Sequence, residues 1–264
     1  MTILIGYLLV GAVAGLLAGL FGVGGGAIIV PILIFLFGLQ SFPPETLVHL
    51  ALGTSFATII FTSLSSIIAH HRLGNVNWGV ARMMTPGLAL GVTVGSVIAA
   101  TLSGTVLQIA IGTYLCVIAI QFVFALQPRS IQQLPGCGGL SAAGTFIGGL
   151  SAFFGIAGGS MTVPFLTMCK VEMKRAVATS AVCGLPIALF GAITYSLEGV
   201  ITQQPMPEMT IGYIYWPAVI GIVLVSTPFA RVGAAIANRL QERNLKRAFA
   251  LVMLLIGVRL LVTA

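Results

Sequence analysis

Polar residues are so sparse along this chain that they act as punctuation between apolar runs. The first run, 3–39, meets no charged residue before Glu45. Helices are then expected at about 47–69, 79–102 and 106–126. A polar, proline-bounded stretch, Gln127-Pro128-Arg129-Ser130-Ile131-Gln132-Gln133-Leu134-Pro135, separates these from a second apolar run at 138–169. Three further helices are expected at about 176–197, 211–237 and 248–262. The expected helices are each near the roughly 20 apolar residues that a membrane-spanning helix needs, while the runs 3–39 and 138–169 are longer. All are apolar on every face, as helices in lipid are.

Two of the runs are interrupted where a membrane helix should be continuous. Phe21-Gly22-Val23-Gly24-Gly25-Gly26-Ala27-Ile28-Ile29-Val30-Pro31 carries five Gly or Pro residues, both poor helix formers. Shifted by 133 positions, it is repeated as Phe154-Gly155-Ile156-Ala157-Gly158-Gly159-Ser160-Met161-Thr162-Val163-Pro164. Other pairs follow in order: Ala51-Leu52-Gly53-Thr54-Ser55 with Ala176-Val177-Ala178-Thr179-Ser180, and, at a shift of 138, Trp78 with Trp216 and Leu107 with Leu245. The chain therefore divides into a first repeat (1–126), a linker (127–137) and a second repeat (138–264).

Loop charges give the repeats opposite orientations. The loop Gln40-Ser41-Phe42-Pro43-Pro44-Glu45 has no Lys or Arg, whereas its counterpart Lys170-Val171-Glu172-Met173-Lys174-Arg175 has three. His70-His71-Arg72 and Arg82 face a stretch from Glu198 to Glu208 with no base. By the positive-inside rule the equivalent loops lie on opposite sides of the membrane. The expected fold is an all-α polytopic membrane protein of two inverted repeats, each a Gly-broken helical hairpin followed by three transmembrane helices. The linker is then cytoplasmic and both termini are periplasmic or extracellular, and the short arm after Ser160 favours re-entrant hairpins.

Only 6% of the 264 residues are charged, against roughly 25% in soluble domains. The net charge of +7 belongs to membrane orientation, not to a nucleic-acid surface. Cys116, Cys137, Cys169 and Cys183 lack metal-ligand spacing, so no metal or other cofactor is expected, and no basic n-region precedes the first run. The chain has no Asp, Gly149-Leu150-Ser151 lacks the flanks of a nucleophile elbow, and no phosphate-binding P-loop occurs. These absences argue against an enzyme and against direct use of ATP.

What remains is backbone chemistry. A helix that restarts after a glycine break presents unpaired N–H groups and the positive end of its dipole, which bind anions without a buried cation. Doubled, interrupted apolar segments mark the central site of a transporter. Candidate substrate-binding residues are Phe21, Gly22, Gly24, Gly25, Gly26, Phe154, Gly155, Gly158, Gly159 and Ser160, with the hydroxyls of Thr54, Ser55, Thr179 and Ser180. Ser160 also reads as a helix N-cap. Pro31 and Pro164 are expected to bend the chain beside the breaks. His49 and Arg231 are candidates for coupling or gating, while Arg259, five residues from the C-terminus, can snorkel to the interface.

The paired glycine motifs and the two Thr-Ser pairs resemble the sulfite exporter TauE/SafE family, over nearly the whole chain. The resemblance implies a multi-pass permease of the bacterial inner membrane exporting a small sulfur-containing anion such as sulfite, sulfoacetate or another organosulfonate. Its partners would be that anion and the lipid bilayer, with a homo-oligomer left open. The motifs differ internally: Ala157 stands where the first has Gly24, and Ser160 where it has Ala27. The competing readings are an anion channel, a permease for a different small anion, and a non-transport membrane subunit.

Overall fold

Hydrophobic runs of this length, with backbone groups that lipid cannot hydrogen-bond, have one economical solution, which is helix. A computed structural model describes residues 2–21, 26–124, 134–202, 204–237 and 242–264. The described elements run α1 Thr2–Phe21, α2 Gly26–Leu39, α3 Pro44–Arg72, α4 Trp78–Thr101, α5 Gly104–Phe124, α6 Cys137–Phe154, α7 Gly159–Met168 and α8 Met173–Ile201. A strand pair, β1 Thr210–Ile211 and β2 Ile214–Tyr215, then leads into α9 Trp216–Ala237 and α10 Glu242–Val262. Residues 125–133, which include most of the polar linker, lie outside the described residues.

α3, α4, α6, α8 and residues 104–121 of α5 are each long and apolar enough to cross a membrane. α2 has 14 residues and α7 has 10. At 1.5 Å per residue α7 is about 15 Å long, half of a hydrocarbon core.

Two boundaries differ instructively from expectation. α3 begins at Pro44, because proline is well suited to a first helical turn and Glu45 beside it complements the dipole. The helix expected from 211 begins instead at Trp216, since 210–215 form an antiparallel pair with Thr210 opposite Tyr215 and Ile211 opposite Ile214. Gly212, at φ +55, makes the turn. Apart from this pair of two-residue strands, the described elements are all helices, as an all-α membrane protein requires.

The helices pack across the halves. α1 lies along α9, α4 along α6, α5 along α10 and α3 along α8. Small residues permit the closest of these approaches, as in membrane helix pairs generally. A Cβ on Gly11 would lie 2.7 Å from the Ile222 carbonyl oxygen, and one on Gly144 would lie 2.7 Å from that of Met84. Gly15 meets the Ser226 carbonyl, and Gly148 that of Leu88, still more closely. Gly144 and Gly148 stand 133 positions after Gly11 and Gly15, while Ile222 and Ser226 stand 138 after Met84 and Leu88.

α3 and α8 run antiparallel through the middle. His49 near the start of α3 stacks on Tyr213 beyond the end of α8, while Asn77 beyond α3 bonds to Thr179 near the start of α8. Leu50, Leu52, Phe56 and Ile59 of α3 and Cys183, Ile187 and Tyr195 of α8 are fully buried. The two helices thus form the wall against which the second glycine break is placed.

Candidate functional site

The second break is built by two left-handed glycines. Gly155 ends α6 at φ +63, with its N–H on the Ser151 carbonyl at 2.9 Å, and Gly158 opens α7 at φ +71. Only glycine takes this conformation without steric cost. The Thr162 N–H closes the first turn on the Gly158 carbonyl at 2.6 Å. Gly155, Ile156, Ala157, Gly158 and Gly159 are all buried. Among the described residues, the N–H groups of Gly159 and Ser160 have no backbone acceptor outside the helix, and a first turn supplies none from within.

The first break is seen from its far side. α1 ends at Phe21, whose side chain lies outside the described residues, as do Gly22, Gly24 and Gly25. Gly26 opens α2 directly against the second break. A Cβ there would lie 2.9 Å from the Gly155 carbonyl oxygen and 3.1 Å from the Ile156 Cα. Conversely, a Cβ on Gly155 would lie 2.6 Å from Val30 Cγ2 and 2.8 Å from Leu52 Cδ2. Two motifs separated by 133 positions therefore share one contact.

The hydroxyl pairs divide by role. Ser55 Oγ donates to the Gly155 carbonyl at 2.9 Å, tying α3 to the second break. Thr54 Oγ1 accepts the Tyr215 N–H, and Thr179 Oγ1 accepts the Asn77 N–H, both at 3.0 Å. Ser180 Oγ donates back to the Val177 carbonyl at 2.9 Å. All four are buried. Ser160 is not the N-cap: Gly158 holds that position without a side-chain bond, and the Ser160 hydroxyl instead meets the Tyr114 hydroxyl at 2.6 Å. The Tyr114 ring lies flat on Phe154, centroids 4.1 Å apart and planes 11° apart. Tyr114 comes from α5 and belongs to no repeated motif, so no sequence signal selected it.

Further buried hydroxyls flank the break without partners. Thr162 Oγ1 and Ser151 Oγ are fully buried and unbonded, and Thr162 Oγ1 is 3.3 Å from where a Cβ on Gly158 would sit. A hydroxyl left dry costs about 1–3 kcal/mol, so the break is flanked by polar groups with unused hydrogen-bonding capacity. Pro31 and Pro164 lie inside α2 and α7, and each frees the carbonyl four residues earlier, that of Ala27 or Ser160. The break itself holds no Lys, Arg or Glu.

The structure does not bring every candidate here. His49 is buried beside the strand pair, its Nε2 donating to the Leu102 carbonyl at 3.1 Å, its ring 5.2 Å from that of Tyr213 and its Nδ1 unbonded. Arg231 is in α9, its side chain outside the described residues. Arg259 sits over the Phe35 ring at 4.2 Å. Among the described residues no three His, Cys or Glu side chains are grouped to hold a metal.

The sulfite exporter TauE/SafE family model matches residues 7–260. A probable membrane transporter protein of Haemophilus influenzae is 36% identical over 258 residues, 96% of each chain. One of Methanocaldococcus jannaschii is 28% identical over 96% of this chain and 94% of its own. Another, YunE of Bacillus subtilis, is 25% identical over 95% and 94% respectively. No solved structure matches.

Proposed function

The chain belongs to the sulfite exporter TauE/SafE family, and from that premise we propose that this multi-span membrane transporter exports a small sulfur-containing oxyanion such as sulfite, sulfoacetate or another organosulfonate. The observation that carries the proposal is the meeting of Gly26 with Gly155 and Ile156. It sets the start of α2 against the turn that opens α7, so that helix N-termini and small residues gather around a break whose own sequence holds no Lys or Arg. A sulfonate offers three acceptor oxygens and one charge, which suit the Gly159 and Ser160 N–H groups and the Ser160 hydroxyl. A helix terminus contributes about 0.3–1 kcal/mol when exposed and up to about 2 when partly buried, and such weak binding lets a carrier release its cargo.

Alternating access is supported by the pairing of helices across the halves and by the antiparallel course of α3 and α8. Both are what two inverted repeats rocking against one another require. The inner bacterial membrane is the expected location. Purified protein in liposomes loaded with radiolabelled sulfite or sulfoacetate should show saturable efflux and counterflow. Unitary currents would identify a channel instead, and the absence of saturable flux for every sulfur oxyanion offered would remove the assignment. Gly159→Leu, which fills the turn, should abolish flux while leaving membrane insertion intact.

A further inference from the structure

The two ends of the bundle share backbone hydrogen bonds but differ in the chemistry that lines them. Beyond α3, the Asn75 N–H donates to the His70 carbonyl at 3.4 Å and the Asn77 N–H to Thr179 Oγ1 at 3.0 Å. Beyond α8, the Tyr213 N–H donates to the Tyr195 carbonyl at 3.3 Å and the Tyr215 N–H to Thr54 Oγ1 at 3.0 Å. Asn75 thus occupies the place of Tyr213, Asn77 that of Tyr215, and His70 that of Tyr195. The turns that follow the two hairpins, α2 to α3 and α7 to α8, match as well. The Phe42 N–H returns to the Phe37 carbonyl at 3.1 Å, and that of Val171 to the Leu166 carbonyl at 3.0 Å. Ser41 and Lys170 take φ values of 57° and 60° in these turns.

At the strand-pair end these positions form an aromatic layer of two clusters, one around Tyr215 and one around Tyr213. Phe37 stacks on Phe42 at 5.0 Å, and Tyr215 packs edge-on to both at 5.7 and 5.3 Å. Tyr213 joins His49 at 5.2 Å and Tyr195 at 6.4 Å. Gly53 and Gly199 let this backbone sink between α3 and α8, since a Cβ on either would strike Tyr213. Around it the chain places Glu45, Glu198 and Glu208, with Arg259 over Phe35.

At the other end the matching positions are Asn75, Asn77, Leu166 and Val171, with the His70 ring in the place of Tyr195. Lys170, Lys174 and Arg175 are exposed there, with Glu172 as the one acid among them. Arg175 lies one helical turn before Thr179, which holds the Asn75–Asn77 loop.

We infer that the basic end is a loading mouth for an oxyanion, with Lys174 and Arg175 as its collecting cations and Asn75 and His70 at its throat. The aromatic layer is the opposing gate, closed in this structure. The inference rests on the transporter reading and deepens it by giving the anion an entrance and an exit. Converging charge raises the local concentration and arrival rate of an oppositely charged solute by about 10-fold or more at low ionic strength. A carboxylate-flanked aromatic layer does the reverse. The same cations could instead hold lipid phosphate, and the test separates the two.

Single cysteines at Asn75 and Tyr213, in a chain whose four native cysteines are replaced by serine or alanine, would be reacted in liposomes with an anionic and a cationic thiosulfonate of similar size. Asn75→Cys should react about 10-fold faster with the anionic reagent at low salt. That preference should vanish with Lys174→Gln/Arg175→Gln and survive Lys174→Arg/Arg175→Lys. Tyr213→Cys should be protected until Tyr215→Ala opens the layer. Equal rates for the two reagents at Asn75→Cys, or unprotected labelling of Tyr213→Cys, would overturn the inference. So would a preference seen in neutral-lipid liposomes but lost with anionic lipid, which marks headgroup binding. Labelling needs no transported substrate, so it is independent of the flux assay: failed flux with intact charge preference would defeat the sulfur-anion assignment alone. If the cysteine-free chain does not fold, the unmodified protein provides the same reading. There, Lys174→Gln/Arg175→Gln should raise the half-saturating sulfite concentration several-fold at low salt and little at high salt, and an unchanged value would overturn the mouth.

Discussion

Thr54 and Thr179 each accept a backbone N–H that follows another helix, at Tyr215 and at Asn77. With both threonines fully buried, losing the acceptor strands that donor, at a cost of about 1–3 kcal/mol. Thr179→Val should therefore lower the thermal unfolding midpoint in detergent while Thr179→Ser preserves it, and a valine variant as stable as the parent would remove the fastening role. Tyr114 tests the site itself. Tyr114→Phe keeps the stack on Phe154 but releases the Ser160 hydroxyl. The half-saturating anion concentration should change about 2- to 10-fold with little loss of stability, as expected for one hydrogen bond of about 0.5–1.5 kcal/mol. The Thr-Ser pairs could be found in the sequence because they repeat. The partners of the two threonines could not, since those bonds span 102 and 161 positions, and Tyr114 has no repeat to mark it.

Among the elements, the tightest contacts are set by absent side chains. Gly148 faces the Leu88 carbonyl at a distance no Cβ tolerates, whereas a Cβ on its neighbour Gly149 would stand 3.7 Å from the nearest atom, the Gly91 carbonyl oxygen. Gly149→Ala should leave the yield of monodisperse protein unchanged. Gly148→Ala must push α6 from α4 against backbone, at the upper part of the roughly 1–3 kcal/mol typical of overpacking. Size-exclusion profiles of the two variants compare them directly, and equal profiles would show that the helices slide apart freely. The helix runs and the break after Phe154 were legible because apolar length and clustered glycine are local signals. The strand pair at 210–215 was not. It lies in an apolar stretch that reads as the start of a helix, and what holds it is tertiary: Ser196 Oγ on the Ile211 carbonyl at 3.3 Å, and the space left by Gly53 and Gly199.

For the whole molecule, the two ends of the bundle determine how the chain sits in a membrane. Gln108 Nε2 on α5 donates to the Leu260 carbonyl and to Thr263 Oγ1, both at 3.1 Å, which ties the C-terminus to the start of α5. Gly104, the first residue of α5, approaches the Pro44 carbonyl at the start of α3. His49, one turn further along α3, lies against Tyr213. The C-terminus, the 40–44 turn and the strand pair therefore share one end, and Asn75, Lys170, Lys174 and Arg175 share the other. No Lys or Arg precedes Arg72, and none lies between Arg175 and Arg231. Because basic residues are retained on the cytoplasmic side, the strand-pair end and the C-terminus should face outward. A phosphatase active only outside the cytoplasm should be active when fused after Ala264 and inactive when inserted at Asn75, and a fluorescent protein that matures only in the cytoplasm should give the complementary pattern. Activity at both positions would break the link between the C-terminus and the strand-pair end. A fully reversed pattern would keep that link but turn the molecule over, placing the basic mouth outside and making the same architecture an importer.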